Sequence, residues 1–93
     1  MEDQGKVFNR KKNIVCTELP DGEAVLLNLE SNYFYTLNQE AFVIWKSLNG
    51  RDRLIDVIDK IIKHYEADRQ EIKEAVLNQI EEFLSERLIE IIP

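Results

Sequence analysis

The sequence predicts a single α+β domain, in which a three-stranded antiparallel sheet is followed by three helices and a short C-terminal strand. Three observations support this prediction. β-rich runs separated by turn residues occupy residues 14–37, the apolar period changes from 2 to 3.6 at residue 38, and a chain of 93 residues has enough apolar mass for one modest core.

The strands are predicted from alternation and from the turns between them. "IVCTEL" (14–19) and "EAVLLNLE" (23–30) flank "PDG", where proline presets φ, aspartate bonds to its own backbone and glycine accepts a positive φ. Ser31 and Asn32 precede "YFYTL" (33–37), and asparagine tolerates the left-handed turn conformation. The three runs are therefore expected to form a meander with two tight hairpins.

The helices are predicted from capping residues and apolar stripes. Asn38 caps a first helix that runs to about residue 49, and Gly50 ends it. Asp52 caps the second helix. Asp68, with Glu71 three residues later, forms an acidic variant of the capping box and begins the third helix.

The two ends of the chain differ in character. Residues 1–12 are polar and mixed in charge, so we predict a flexible N-terminal arm there and the folded domain over residues 13–93. "LIEII" (88–92) is too apolar to remain in solvent, and we predict that it forms the closing strand.

The charge and hydropathy exclude several classes of function. The net charge of −6 has the wrong sign for binding nucleic acid or anionic lipid. No apolar run approaches the roughly 18–20 residues needed to span a bilayer. The N-terminal residues lack the apolar segment of a signal peptide. We therefore expect a cytoplasmic protein without nucleic-acid or membrane partners.

Residues suited to catalysis or metal binding are scarce. Cys16 is the single cysteine and His64 the single histidine, so the chain can form neither an internal disulfide nor a paired-histidine metal site. Cys16 lies in an alternating run, as a small hydrophobe on a strand would, and His64 lies at the polar end of a helical pattern. We therefore expect no catalytic residue, no metal site and no cofactor.

The third predicted strand has an unusual edge. Alternation places Tyr33, Tyr35 and Leu37 on one face, and Leu37, next to the first helix, is expected to face the core. Phe34 then faces outward. The strand is also an edge of the meander, and it has none of the charges, prolines or bulges that usually block pairing with another chain.

The third predicted helix has apolar residues beside its inward stripe. On a helical wheel three residues lie on the shoulder of the stripe: Lys73, Leu77 and Leu84. They form either part of a broad buried stripe or one wall of a groove. An open edge strand beside such a wall suits an extended peptide that adds a strand to the sheet. A second copy of the chain could pair with the same edge, which would make the protein a homodimerising interaction module.

The stretch "VLLNLESNYFYTLNQEAFVIWKSLNG" resembles the PqqD-like family, named for the pyrroloquinoline-quinone biosynthesis protein D. The shared pattern is a strand of "LLNLES" type, an aromatic strand ending in "LN" and a helix carrying "IW..L.G". The similarity extends through "LIDVIDKIIKHYEAD" and "EFLSERLIEI", over about residues 13–92. The resemblance implies a winged-helix-like domain, closer to stand-alone lasso-peptide leader binders than to members of the quinone pathway.

The resemblance also implies a function. Members of the family bind the leader of a ribosomally made precursor peptide as an added strand. They present it to a modifying enzyme, either a radical SAM protein or a leader protease, and are not catalysts themselves. The resemblance thus implies a non-catalytic adaptor here, and the edge argument allows a monomer or a weak homodimer. Carried over by element, and with Leu84 added from the helical wheel, the peptide-binding residues are Tyr33, Phe34, Tyr35, Thr36, Lys73, Val76, Leu77, Ile80 and Leu84. Lys73 would face an acidic leader residue.

A winged-helix-like fold also raises the alternative of DNA binding. The third helix and its end, from Arg69 to Arg87, carry three basic and five acidic residues. A helix that enters the major groove needs the opposite balance of charge, so we exclude this alternative.

Overall fold

A computed structural model describes residues 4–93. In chain order its elements are β1 (Val7–Arg10), β2 (Ile14–Glu18), β3 (Ala24–Asn28), β4 (Phe34–Leu37), α1 (Gln39–Ser47), β5 (Asn49–Arg53), α2 (Leu54–Tyr65), α3 (Arg69–Ser85) and β6 (Ile89–Ile92). The predicted α+β fold is confirmed: three antiparallel strands, three helices and a C-terminal strand are all present. β1 and β5 are additions that the sequence did not indicate.

The predicted meander is the sheet β2-β3-β4, and both of its hairpins have the expected turn chemistry. In the first turn Gly22 has φ of 89°, and the Asp21 carboxylate accepts a hydrogen bond from the Glu23 amide at 3.0 Å. In the second turn Asn32 has φ of 64°, and its amide donates to the Asn28 carbonyl at 2.7 Å. The left-handed residue that the second hairpin required is therefore asparagine, as predicted.

A second sheet, β5-β1-β6, corrects the prediction of a flexible arm over residues 1–12. β1 pairs antiparallel with both β5 and β6, and Phe8 is only 2% exposed. Residues 1–3 of the predicted arm lie outside the described residues. The strand escaped prediction because it is four residues long and its partners lie some 40 and 80 residues away, so no local pattern marks it.

Two predicted features around the second helix also need correction. α1 ends at Ser47, and Gly50 lies within β5 instead of ending the helix. The N-cap of α2 is Arg53, not Asp52. Asp52 instead accepts hydrogen bonds from Lys60 at 2.6 Å and from the Asn49 amide group at 2.9 Å. Both bonds lower the pKa of the Asp52 carboxyl, and the bond from Lys60 has the larger effect.

Gly50 supports a testable prediction about this corner of the fold. Its φ is 77°, and a Cβ at this position would lie 3.0 Å from the Asn9 side chain. A left-handed backbone costs a residue with a Cβ roughly 1–2 kcal/mol. We therefore expect Gly50→Ala to lower the free energy of unfolding by about that amount in urea titrations. Gly5→Ala is the control, because nothing lies within 4 Å of its added Cβ, and an equal loss there would contradict this account.

The core lies between the inner face of β2-β3-β4 and the three helices, and it includes Phe8 and Ile89 of the second sheet. Phe83 of α3 is 0% exposed and packs edge-on against Trp45 of α1, with ring centroids 5.6 Å apart. It also contacts the Tyr35 ring of β4, at 6.3 Å. α1 begins as predicted, because the Asn38 side chain accepts a hydrogen bond from the Ala41 amide at 2.8 Å. This packing fixes the positions of β4, α1 and α3 relative to one another.

Candidate functional site

Among residues 4–93 no strand pairs with the outer side of β4, and the hydrogen bonds of the sheet show which backbone groups this open edge leaves free. The Asn28 amide donates to the Tyr33 carbonyl at 3.0 Å, so residues 28 and 33 form a hydrogen-bonded pair. Because such pairs alternate along an antiparallel ladder, Tyr35 and Leu37 also bond to β3, whereas Phe34 and Thr36 do not. The N–H and C=O groups of Phe34 and Thr36 therefore point away from β3, towards the open edge.

The side chains of β4 divide between the two faces as alternation predicted. Leu37 is buried and Tyr35 is half-buried, whereas Phe34 is 70% exposed on the outer face. Tyr33 was expected to face inward with Tyr35, but it is 78% exposed, because it precedes β4 at the end of the hairpin turn. The outer face also carries Val15, which lies in the same cross-strand row as Phe34.

Tyr35 links β4 to one particular side of α3. Its ring packs against Phe83, and its hydroxyl donates a hydrogen bond to the Glu82 carboxylate. The same carboxylate accepts a hydrogen bond from Gln79 at 3.2 Å. The surface of α3 beside the strand edge is therefore the one that carries Glu82 and Gln79.

A helical wheel extends this assignment along α3. With Ile72 at 0° and ~100° per residue, Glu82 lies at ~280°, Ala75 at ~300° and Gln79 at ~340°. We call these three residues the near flank. The residues that the sequence analysis proposed as the groove wall lie at ~100–140° and form the far flank: Lys73, Leu77 and Leu84. The two flanks are on opposite sides of the helix.

The structure therefore separates several of the predicted site residues. Phe34, Tyr35 and Thr36 lie on the open strand, as expected. Val76 and Ile80 are each only 1% exposed and belong to the core, and Val76 also lines the cavity described below. The three far-flank residues are half-buried, and both leucines pack against the core. The residues of the near flank, which show no apolar pattern, were not among those that the sequence predicted.

A cavity of about 280 Å³ lies where α1, α2 and α3 meet, and Ala75 of the near flank forms part of its lining. Its lining is mostly apolar: Glu40, Ile44, Ile61, Tyr65, Ala67, Ile72, Ala75 and Val76. Ligand pockets usually measure about 300–1,000 Å³, so the cavity suits one large side chain better than a cofactor. Glu40 lies three residues beyond the end of β4, which places the cavity near the C-terminal end of that strand.

The thiol of Cys16 is poorly suited to nucleophilic chemistry. Although the residue is exposed, partial burial raises the pKa of the thiol, an effect that outweighs the nearby Arg10. His64 packs edge-on against Tyr65, with ring centroids 4.8 Å apart. Within residues 4–93 no group of His, Cys, Asp and Glu side chains is placed to hold a metal ion. In the same range no helix is both long and apolar enough to cross a bilayer.

One family model matches the chain, and two solved structures share its fold. The model of the family described as coenzyme PQQ synthesis protein D (PqqD) matches residues 23–89. The solved structure of TbiB1 in complex with the TbiA(beta) leader peptide is similar with a TM-score of 0.78 and 23% identity, over 88% of this chain and 94% of that chain. Lasso peptide synthetase B1 complexed with its leader peptide is similar with a TM-score of 0.75 and 21% identity, over 92% of this chain and 98% of that one. No curated protein sequence matches the chain.

Proposed function

The chain belongs to the PqqD family, and we propose that it binds the leader segment of a ribosomally made precursor peptide by strand addition to β4. The observation that carries this proposal is the open edge of β4 beside an apolar cavity. Two similar folds solved as leader-peptide complexes support it. In this proposal the protein is a cytoplasmic adaptor that presents the precursor to a leader protease or another modifying enzyme, which performs the chemistry.

The proposed mechanism uses backbone groups for affinity and one side chain for anchoring. An extended peptide bonds to the free N–H and C=O groups of Phe34 and Thr36. A strand rises about 3.3 Å per residue, so three to four further residues span the roughly 10 Å from Glu82 to Ala75 along α3. One large apolar side chain of the leader then enters the cavity. Such a small interface depends on one or two anchors.

The wall of the proposed groove is the near flank of α3 and not the far flank first predicted. The contacts of Tyr35 with Phe83 and Glu82 support this assignment, since they bring the near flank to the strand edge. Ala75 lies on the same side of α3 as Glu82, and it lines the cavity. Lys73 and Leu77 are turned away from β4 by ~140° or more relative to Glu82.

A pair of tryptophan substitutions tests which flank binds the leader. We expect Ala75→Trp to weaken binding at least about tenfold, because the indole occupies the space proposed for the anchor. We expect Lys73→Trp, on the opposite side of the same helix, to bind normally. The measurement is fluorescence anisotropy with a labelled leader peptide of the precursor. If Lys73→Trp weakens binding and Ala75→Trp does not, the leader binds the far flank instead.

Self-pairing through the same edge is the second candidate function. The unblocked edge of β4 and the exposed Phe34 beside it favour this candidate. Sedimentation equilibrium separates the two functions, because a leader binder forms a complex of one peptide per chain. A dimer mass that persists in saturating leader, without peptide binding, would support self-pairing instead.

A further inference from the structure

We infer that the site is selective for a cationic leader segment, in which a large apolar residue and a Lys or Arg are two positions apart. This inference rests on the proposed function and specifies the chemistry of the peptide. It reverses the expectation that Lys73 faces an acidic leader residue. The observations that carry it are the lining of the cavity and the distribution of charge over the two flanks of α3.

The cavity carries a single formal charge at neutral pH. Of the eight described residues that line it, Glu40 is the one acidic residue, none is basic, and the others are apolar apart from the hydroxyl of Tyr65. Glu40 is exposed, so its carboxylate lies at the rim, and it belongs to none of the ion pairs formed between described residues. A peptide whose apolar side chain fills the cavity therefore places its neighbouring groups beside an uncompensated carboxylate.

The charge on α3 has the same sign on the side that faces the site. Glu82 lies on the near flank, and Glu71, at ~260°, lies just beside it. The basic residues of α3 are elsewhere: Lys73 is on the far flank, and Arg69 pairs with Asp59 of α2 at 2.8 Å. Lys46, the one lysine of α1, lies 4.4 Å from the centre of the Phe42 ring. The charges that α1 and α3 place beside the groove are therefore acidic and favour a cationic guest.

The spacing of the two leader residues follows from the geometry of an added strand. Side chains of a strand alternate between its faces, so residues two apart point to the same side. Glu40 and the apolar residues line the same cavity, so both lie on one side of an added strand. The anchor and the cation therefore share that side, and two positions is the shortest spacing that allows this.

A display experiment with random peptides tests the inference, whatever the sequence of the natural leader. Twelve-residue peptides displayed on phage are selected on the immobilised wild-type protein, on Glu40→Lys and on Glu81→Lys. Glu81 is exposed on α3 and lies ~100–120° from Glu82 and Ala75, outside the groove. Both substitutions change the net charge equally, so the control removes non-specific attraction of basic peptides to an acidic protein.

We expect the wild type and Glu81→Lys to enrich peptides with a large apolar residue two positions from Lys or Arg. We expect Glu40→Lys to lose that preference. Exchanging the cation of a selected peptide for Glu should weaken its binding to the wild type roughly fivefold. Enrichment without a charge preference, or a preference that survives in Glu40→Lys, would overturn the inference but leave the proposed function standing. No enrichment on the wild type would overturn both.

Discussion

Thr36→Pro is expected to weaken leader binding at least about tenfold while the fold stays intact. The Thr36 N–H points away from β3, so proline removes a donor that only a guest strand uses. Proline is tolerated in edge strands where the N–H faces solvent. The lost bond and the clash of the ring with an incoming strand together exceed the ~1.4 kcal/mol that corresponds to tenfold. Fluorescence anisotropy measures the affinity, and circular dichroism checks the fold.

Glu18→Pro is the matched control for this substitution. Glu18 lies on β2, at the opposite edge of the same sheet. The Leu19 amide bonds to the Glu23 carbonyl at 2.8 Å, so by alternation the Glu18 N–H also points to solvent. This variant should bind the leader like the wild type. If both prolines weaken binding equally, the effect lies in the stability of the sheet and not in the open edge of β4.

Phe83→Ala is expected to lower the free energy of unfolding by about 3–5 kcal/mol. Phe83 is completely buried, and its ring contacts both Trp45 and Tyr35, so its removal leaves a cavity where the sheet and two helices meet. Native domains are stable by only about 5–15 kcal/mol, so this variant should be close to unfolding at room temperature. Urea titration followed by tryptophan fluorescence reports on Trp45 directly.

Tyr35→Phe separates the packing of this cluster from its polar contact. The substitution keeps the ring beside Phe83 and removes only the exposed hydrogen bond to the Glu82 carboxylate, so it should cost about 1.5 kcal/mol. A loss of stability from Phe83→Ala as small as this would mean that the aromatic cluster does not organise the core.

Local signals in the sequence were sufficient for much of the fold. Asn32 marked the second hairpin because few residues accept positive φ, and the structure gives it φ of 64°. Asn38 marked the start of α1 because its side chain can accept an N-terminal amide, as it does from Ala41. Both signals operate within three residues, and each predicted its element correctly.

Strands held by distant partners could not be predicted in this way. β5, "NGRDR", has no apolar residue and no β-branched residue, so neither propensity nor alternation indicates a strand. It exists because β1 lies beside it, and β1 in turn pairs with β6 at the other end of the chain. Tertiary pairing decided the structure of both segments.

The candidate site was only partly predictable for a similar reason. The open edge of β4 followed from the order of the strands and the absence of blocking residues in "YFYTL". The near flank that we propose as the wall on α3 did not, because an apolar pattern shows which side of a helix is covered but not which element covers it. Leu77 and Leu84 were predicted because they are apolar residues beside the inward stripe. Ala75, Gln79 and Glu82 lie on the side facing β4 and resemble ordinary surface residues.

The measurement that most directly tests strand addition is amide hydrogen exchange, followed by NMR with and without saturating leader peptide. We predict that exchange of the Phe34 and Thr36 amides slows at least about tenfold on binding, because both gain a partner in the added strand. The Tyr35 and Leu37 amides, which already bond to β3, should change much less. Unchanged exchange at Phe34 and Thr36 in saturating leader, with chemical-shift changes at Lys73 and Leu77 instead, would contradict strand addition to β4.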